Sequence, residues 1–223
     1  MDLYEVMRTT FAAREFEPDP VSDAQLAAIL EHARFAPSGG NRQGWHVLVV
    51  RDPEVRARMA QLTEPAARRY AAQMRAGESP WNPLAPPGPD EQTIAETPVP
   101  DLLTAPLLRA PVVLVVCLDL RLVAAVDQDL ARIAVAPGAS IYPFVWNILL
   151  AARNEGLGGT LTTLPISREP DLQGLLGIPD HVAIAAVIPL GHPVRQLTRL
   201  RRKPVSAFTT VERWGGPRLE SSG

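Results

Sequence analysis

The stretch of this chain best supplied with ligand-handling groups is Ala36-Pro37-Ser38-Gly39-Gly40-Asn41-Arg42-Gln43-Gly44-Trp45. It is a polar, glycine-rich turn, and by composition alone it reads as a connection from a helix to a strand. Other chemistries are easier to exclude than to find. No G-x-S-x-G elbow occurs, and His32, His46, His181 and His192 stand singly, so no nucleophile has a base at hand. H-E-x-x-H and paired cysteines are absent, which leaves no metal-ligand spacing. G-x-G-x-x-G and G-x-x-x-x-G-K-[ST] are missing too, so neither a Rossmann nor a P-loop nucleotide site is expected. The single cysteine, Cys117, sits in Val113-Leu114-Val115-Val116-Cys117-Leu118 and reads as a small buried hydrophobe.

The elements that must position that turn follow from periodicity. Ser22 and Gln25 make an S-x-x-Q capping box, with Val21 and Leu26 as a hydrophobic staple. Leu26, Ile29, Leu30 and Ala33 then line one face of a helix that ends before Pro37. Trp45–Val50 reads as a buried strand. Asp52-Pro53 opens a second helix, running to about Met74, with Asp52 as N-cap and Pro53 in the first turn. Between Gly77 and Pro106, Pro80, Pro83, Pro86, Pro87, Pro89, Pro98 and Pro100 argue against regular helix or central strand, and a segment of this kind suits a lid or binding loop. Pro111–Leu118 reads as a strand buried on both faces. Ala139–Asn154 is apolar nearly all round, with Pro143 in its first turn and Gly156 at a left-handed cap, and so must face the core or another subunit. Thr160–Leu164 and Val182–Leu190 read as strands, with a short helix near Asp171–Leu176 between them and strand-like Phe208–Val211 in the tail.

Bulk properties set the outer limits. The chain has 223 residues, 46% hydrophobic, enough for one well-buried core. A net charge of −2 without a basic stripe disfavours nucleic acid and anionic membrane as partners. Met1–Glu5 lacks a signal-peptide pattern, no apolar run reaches the roughly 18 residues of a span, and the lone cysteine suits a reducing compartment. A cytoplasmic protein is expected.

The residue order of the turn, A-P-S-G-x-N-x-Q-x-W before a hydrophobic strand, resembles the signature of the nitroreductase family. In that family the loop hydrogen-bonds FMN through its serine, its asparagine and neighbouring backbone. A heterocycle edge needs a few fixed donors and acceptors at close backbone approach, which such a loop supplies. Three further segments extend the resemblance over nearly the whole chain. Thr10-Phe11-Ala12-Ala13-Arg14-x-Phe16 is similar to the family's R-R-S-x-R-x-F element. Gly156–Thr163 resembles the segment along the isoalloxazine ring, and Arg202-Lys203-Pro204 the C-terminal R-x-P whose arginine pairs with the FMN phosphate.

The resemblance implies an α+β fold: a mixed, mainly antiparallel sheet flanked by helices, in an intertwined homodimer with FMN between subunits. It implies one domain over residues 1–223, a proline-rich lid at about 77–106 and an arm from about 193. The cofactor-binding residues it implies are Thr10, Arg14, Ser38, Gly39, Asn41, Gln43, Leu161, Thr162, Thr163 and Arg202. NAD(P)H would donate hydride and leave, and a nitroaromatic, quinone or enone would then accept it in a ping-pong cycle. Arg14 would supply positive charge near flavin N1 and O2, and no protein acid or base is assigned. Phe11 and Ala12 depart from the family pattern, removing a cation and a hydroxyl from the implied site. A non-catalytic flavin binder and a specialised FMN-dependent dehydrogenase of a biosynthetic pathway are the alternative functions. The chain also resembles iodotyrosine deiodinase and the flavin-fragmenting enzyme of vitamin B12 synthesis. However, its lid region holds Glu64, Tyr70, Glu78 and Trp81 without a nearby lysine, against a halotyrosine substrate.

Overall fold

A computed structural model describes residues 1–219. Its centre is a four-stranded antiparallel sheet in the order β1-β2-β4-β3, formed by β1 (Trp45–Val50), β2 (Val112–Asp119), β3 (Gly158–Gly159) and β4 (Val182–Gly191). All three ladders are antiparallel; the only parallel pairing among the described residues is an isolated bridge from Ala12 to Gly159.

Strand alternation sorts the core into two layers. Val112, Leu114 and Val116 face one cluster, with Leu26 and Ile29 of α2 (Asp23–Ala33) and Phe144, Val145 and Ile148 of α6 (Tyr142–Asn154). Val113, Val115 and Cys117 face the other, with Met59 of α3 (Pro53–Arg75), Leu107 of α5 (Asp101–Arg109) and Leu172 of α7 (Glu169–Leu176). A sheet covered on both faces explains why β2 carries no polar alternation. In β4 the alternation breaks once. Val116 pairs with Ala186 while Cys117 pairs with Ile184, so Ala185 is an extra, bulged residue. Ala185 and Ala186 therefore share one layer, and Ile184 and Val187 the other.

Local chemistry accounts for the helix starts. Both halves of the Ser22–Gln25 capping box form, and Val21 and Leu26 are buried in one cluster. Asp52 accepts hydrogen bonds from Glu54 N and Val55 N at 2.8 and 3.0 Å, so α3 begins at Pro53 as its residues dictate. Pro143 lies in the first turn of α6, and Gly156 has φ +77°.

Several expectations are corrected. The segment 77–106 is not free of helix: α4 (Glu91–Glu96) and the first part of α5 lie in it. Pro100 serves as the N-cap of α5, where no backbone donor is needed, and Pro106 removes only one interior hydrogen bond. Thr160–Leu164 is not a strand. Pairing is limited to β3 and an isolated Thr162–Val187 bridge, after which Pro165 turns the chain into a 3-10 helix at Leu164–Arg168. Phe208–Val211 is not a strand either; the tail folds back on itself through a Thr210–Arg218 bridge and Val211 N→Pro217 O at 2.8 Å. A helix not expected, α1 (Leu3–Thr9), is capped by Asp2 through Glu5 N. Finally, α6 begins at Tyr142 rather than Ala139; in the single chain Tyr142 is 45% and Trp146 43% exposed.

Candidate functional site

A cavity of about 780 Å³ opens between three parts of the chain: Arg14, the run Thr160–Leu164, and a wall made by Pro80, Trp81 and the α5 residues Leu102, Leu103 and Pro106. Its size lies within the range of small-ligand sites, and its lining is apolar with a few convergent polar groups. Arg14 is the only charged residue lining it among the described residues.

Backbone pairing brings Arg14 to the Thr160 run. Ala13 N donates to Gly159 O at 3.1 Å, and Ala12 bridges Gly159. Only glycine fits at this crossing. A Cβ on Gly158 would stand 3.0 Å from Ala13 Cβ, and one on Gly159 would stand 2.9 Å from Pro189 O. Beyond it, Thr160 N donates to Pro189 O at 3.3 Å, and Thr162 and Val187 exchange both backbone bonds at 2.9 and 3.0 Å. The Thr160–Thr162 backbone is thus fixed by β4. Arg14 donates through Nη1 to Ala12 O at 3.2 Å and has no ion pair among the described residues.

Of the sequence-derived site residues, Arg14, Leu161, Thr162 and Thr163 line this cavity. Thr10 does not: it is 6% exposed and its hydroxyl donates to Val6 O at 2.7 Å, closing α1. Arg202 is exposed and donates to Arg201 O at 2.8 Å, away from the cavity lining. Ser38, Gly39, Asn41 and Gln43 form a separate, tightly wound turn. Ser38 Oγ accepts from Gln43 N at 2.9 Å, and Gly39 N donates to Ser140 Oγ at 3.1 Å. Asn41 and Gln43 both have left-handed backbones, φ +53° and +50°. Two such residues within three positions constitute strain of the kind that clusters at ligand sites.

Tyr142, Ser167, Ile184 and the α5 residues were not legible as site residues. For α5 the signal was present in Leu102, Leu103, Pro106 and Leu107, an apolar helical face inside the proline-rich segment. Tyr142 donates from its hydroxyl to Ala185 O at 3.4 Å, the carbonyl that the β4 bulge turns out. Ile184 N, displaced by the same bulge, donates to Glu169 Oε1 at 2.6 Å.

A second cavity, of about 360 Å³, is lined by Gln43, His46, Cys117 and Asp119 among others. Burial, and then the nearby Glu169 charge, push the Cys117 thiol up to about 11. Thiolate is therefore scarce at neutral pH, and iodoacetamide at pH 7.5 is expected to leave Cys117 unmodified until denaturant is added. Rapid alkylation of the folded protein, read by mass, would show that the second cavity gives access to the sulfur. No group of three or more His, Cys, Asp or Glu among the described residues could hold a metal ion.

The family model described as the Nitroreductase family matches residues 7–192. An NADH dehydrogenase of Thermus thermophilus is 29% identical over 221 residues, covering 86% of this chain and 87% of that protein. The structure of an oxidized iodotyrosine deiodinase bound to FMN and 3-iodo-L-tyrosine superposes with TM-score 0.68 at 21% identity, covering 96% of this chain and all of that one. An NADPH:FMN oxidoreductase from Vibrio harveyi complexed with NAD+ gives TM-score 0.67 at 20% identity, covering 95% of this chain and 77% of that one.

Proposed function

This chain belongs to the nitroreductase family and has its α+β fold, and from that premise we propose that it is an FMN-dependent oxidoreductase passing hydride from NAD(P)H to an organic acceptor such as a nitroaromatic, quinone or enone. The observation that carries this reading is the pairing of Ala13 with Gly159, which sets Arg14 beside Thr160–Thr163 at one cavity. Those residues fit the cofactor's chemistry. Arg14 keeps donors free for an anionic edge, and the Thr162 and Thr163 hydroxyls add polar groups along an apolar slot. FMN, when bound, supplies the two-electron chemistry. The protein's part is to orient the ring, place the Arg14 charge where negative charge develops, and exclude water with Leu102, Leu103 and Trp81.

In this reading the Ser38–Gln43 turn and Arg202, which do not line the cavity of their own chain, act across an interface in a homodimer. Large exposed apolar side chains support it: Val126 86%, Ile133 64%, Phe208 68% and Trp214 fully exposed. An obligate interface buries more than about 2,000 Å², and leaving this much apolar surface in water is unfavourable. The segment 77–106 serves as a lid, and 193–219 as an arm of the same domain. A cytoplasmic location accompanies this reading, because a lone buried thiol suits a reducing compartment. No helix among the described residues is long and apolar enough to cross a membrane.

The test is anaerobic stopped-flow. Protein reconstituted with FMN should bind about one flavin per subunit and bleach on mixing with NADH or NADPH. Sedimentation should show a dimer. A protein that binds flavin but is reduced by neither nicotinamide would be a non-catalytic flavin binder or a specialised FMN-dependent dehydrogenase, and failure to bind flavin would overturn the reading.

A further inference from the structure

The wall of the cavity is held by a side chain with no role in the proposed hydride transfer. Gln73, on α3, is 2% exposed, and both ends of its amide serve the chain beyond its own helix. Its Oε1 accepts from Trp81 N at 3.2 Å, and its Nε2 donates to Glu78 Oε2 at 3.0 Å. The other Glu78 oxygen accepts from Gly88 N at 2.8 Å, so one buried amide fixes the wall at 78, 81 and 88. Trp81 is thereby held at φ +57°, a backbone that a bulky residue adopts only when its surroundings impose it.

Trp81 lines the cavity, and the Arg69 guanidinium carbon lies 3.9 Å from the centroid of its ring. Neighbouring Arg68 faces Glu64 at 3.8 Å, whereas Arg69 has no ion pair among the described residues and its Nε is buried without a partner. An uncompensated cation therefore stands behind the indole, and no carboxylate lines the cavity among the described residues.

We infer that Trp81 determines which acceptor the cavity takes, that Gln73 is the positioning residue that holds the indole there, and that the acceptor class is planar aromatics carrying no positive charge. A flat indole rewards a flat partner by stacking. A cationic partner would lose hydration in an apolar slot whose indole already has a guanidinium against it. The inference rests on the proposed function.

The test uses FMN-reconstituted protein with 1,4-naphthoquinone, its 2-sulfonate and a trimethylammonium-bearing naphthoquinone as acceptors. In the wild type, KM for the cationic quinone should exceed that for the neutral one by about tenfold or more. Trp81→Ala should raise KM for naphthoquinone by about tenfold, more than it lowers kcat, and Trp81→Phe should recover most of the loss. Gln73→Leu should shift KM in the same direction with an unchanged flavin dissociation constant. If Gln73→Leu does not fold, Glu78→Gln, which disturbs the same bonds, must show the shift. Flavin uptake and reduction by NAD(P)H with unaltered KM in Trp81→Ala would overturn this inference alone, as would equal KM for the cationic and neutral quinones. Unaltered KM in the Gln73 and Glu78 variants would remove the positioning role. A protein that binds no flavin, or is reduced by neither nicotinamide, would overturn the proposed function and this inference with it.

Discussion

Replacing Arg14 by alanine should weaken flavin binding by about 10- to 150-fold, the equivalent of one charge-assisted hydrogen bond of about 1.5–3 kcal/mol. The effect should be large because its own chain offers no second charge there. Arg14 is the only charged residue lining the cavity among the described residues. It should also be clean. The Arg14 side chain makes a single hydrogen bond, to Ala12 O, so its removal disturbs little of the surrounding structure. Arg14→Lys should restore charge without the planar fork and recover part of the affinity. Flavin fluorescence titration measures the change. A dissociation constant equal to that of the wild type would place the cofactor's anionic edge elsewhere.

Gly159→Val should cost about 1–3 kcal/mol of stability and empty the cavity of flavin. The side chain would have to occupy space already taken by Pro189 O at 2.9 Å and by Ile188 Cγ2 and Leu190 Cδ1, both at 3.1 Å. One of those atoms is backbone and cannot swing aside, so β3 must part from β4. Ala12 and Ala13 are paired to Gly159, so the shift carries Arg14 and Thr160–Thr163 with it. Gly159→Ala should show the same effect in smaller measure. Urea unfolding reports the loss, and absorbance of the folded fraction reports flavin content. A midpoint and a flavin content like those of the wild type would mean the two strands separate without consequence.

Much of this arrangement was legible because local rules decided it. Ser22 and Gln25 set the start of α2, Asp52 and Pro53 that of α3, and unbroken Val and Leu marked β2 as covered on both faces. The elements that were not legible are those decided by distant partners. α1 buries only Val6 and Thr9, too little for a visible apolar period. The β4 bulge depends on Glu169 and Tyr142 reaching Ile184 N and Ala185 O, which no window of the β4 sequence contains. Of the site, the order of residues pointed to Arg14 and Leu161–Thr163. The α5 wall stayed hidden because proline ordinarily breaks a helix, whereas here Pro100 lies at the cap and Pro106 breaks only one bond. Trp81 was visible as an aromatic, but its anchor Gln73 looks like any other polar residue on a helix.

The strand register also governs how the chain must be made. Trp45 pairs with Leu118 and Val112 with Leu190, so neither of these ladders is a tight hairpin. Closing such long loops takes entropy before any contact returns it, which places the sheet among slow-forming, high-contact-order topologies. During synthesis α2 and α3 emerge with β1 but without a sheet to cover. Val112–Leu118 can pair with β1 along one edge, while its other edge waits until β4 leaves the ribosome. In that interval the strand is open to pairing with another nascent chain. Because Thr160 and Thr162 pair with Pro189 and Val187 of β4, this wall of the cavity takes shape only once the last strand of the sheet is in place.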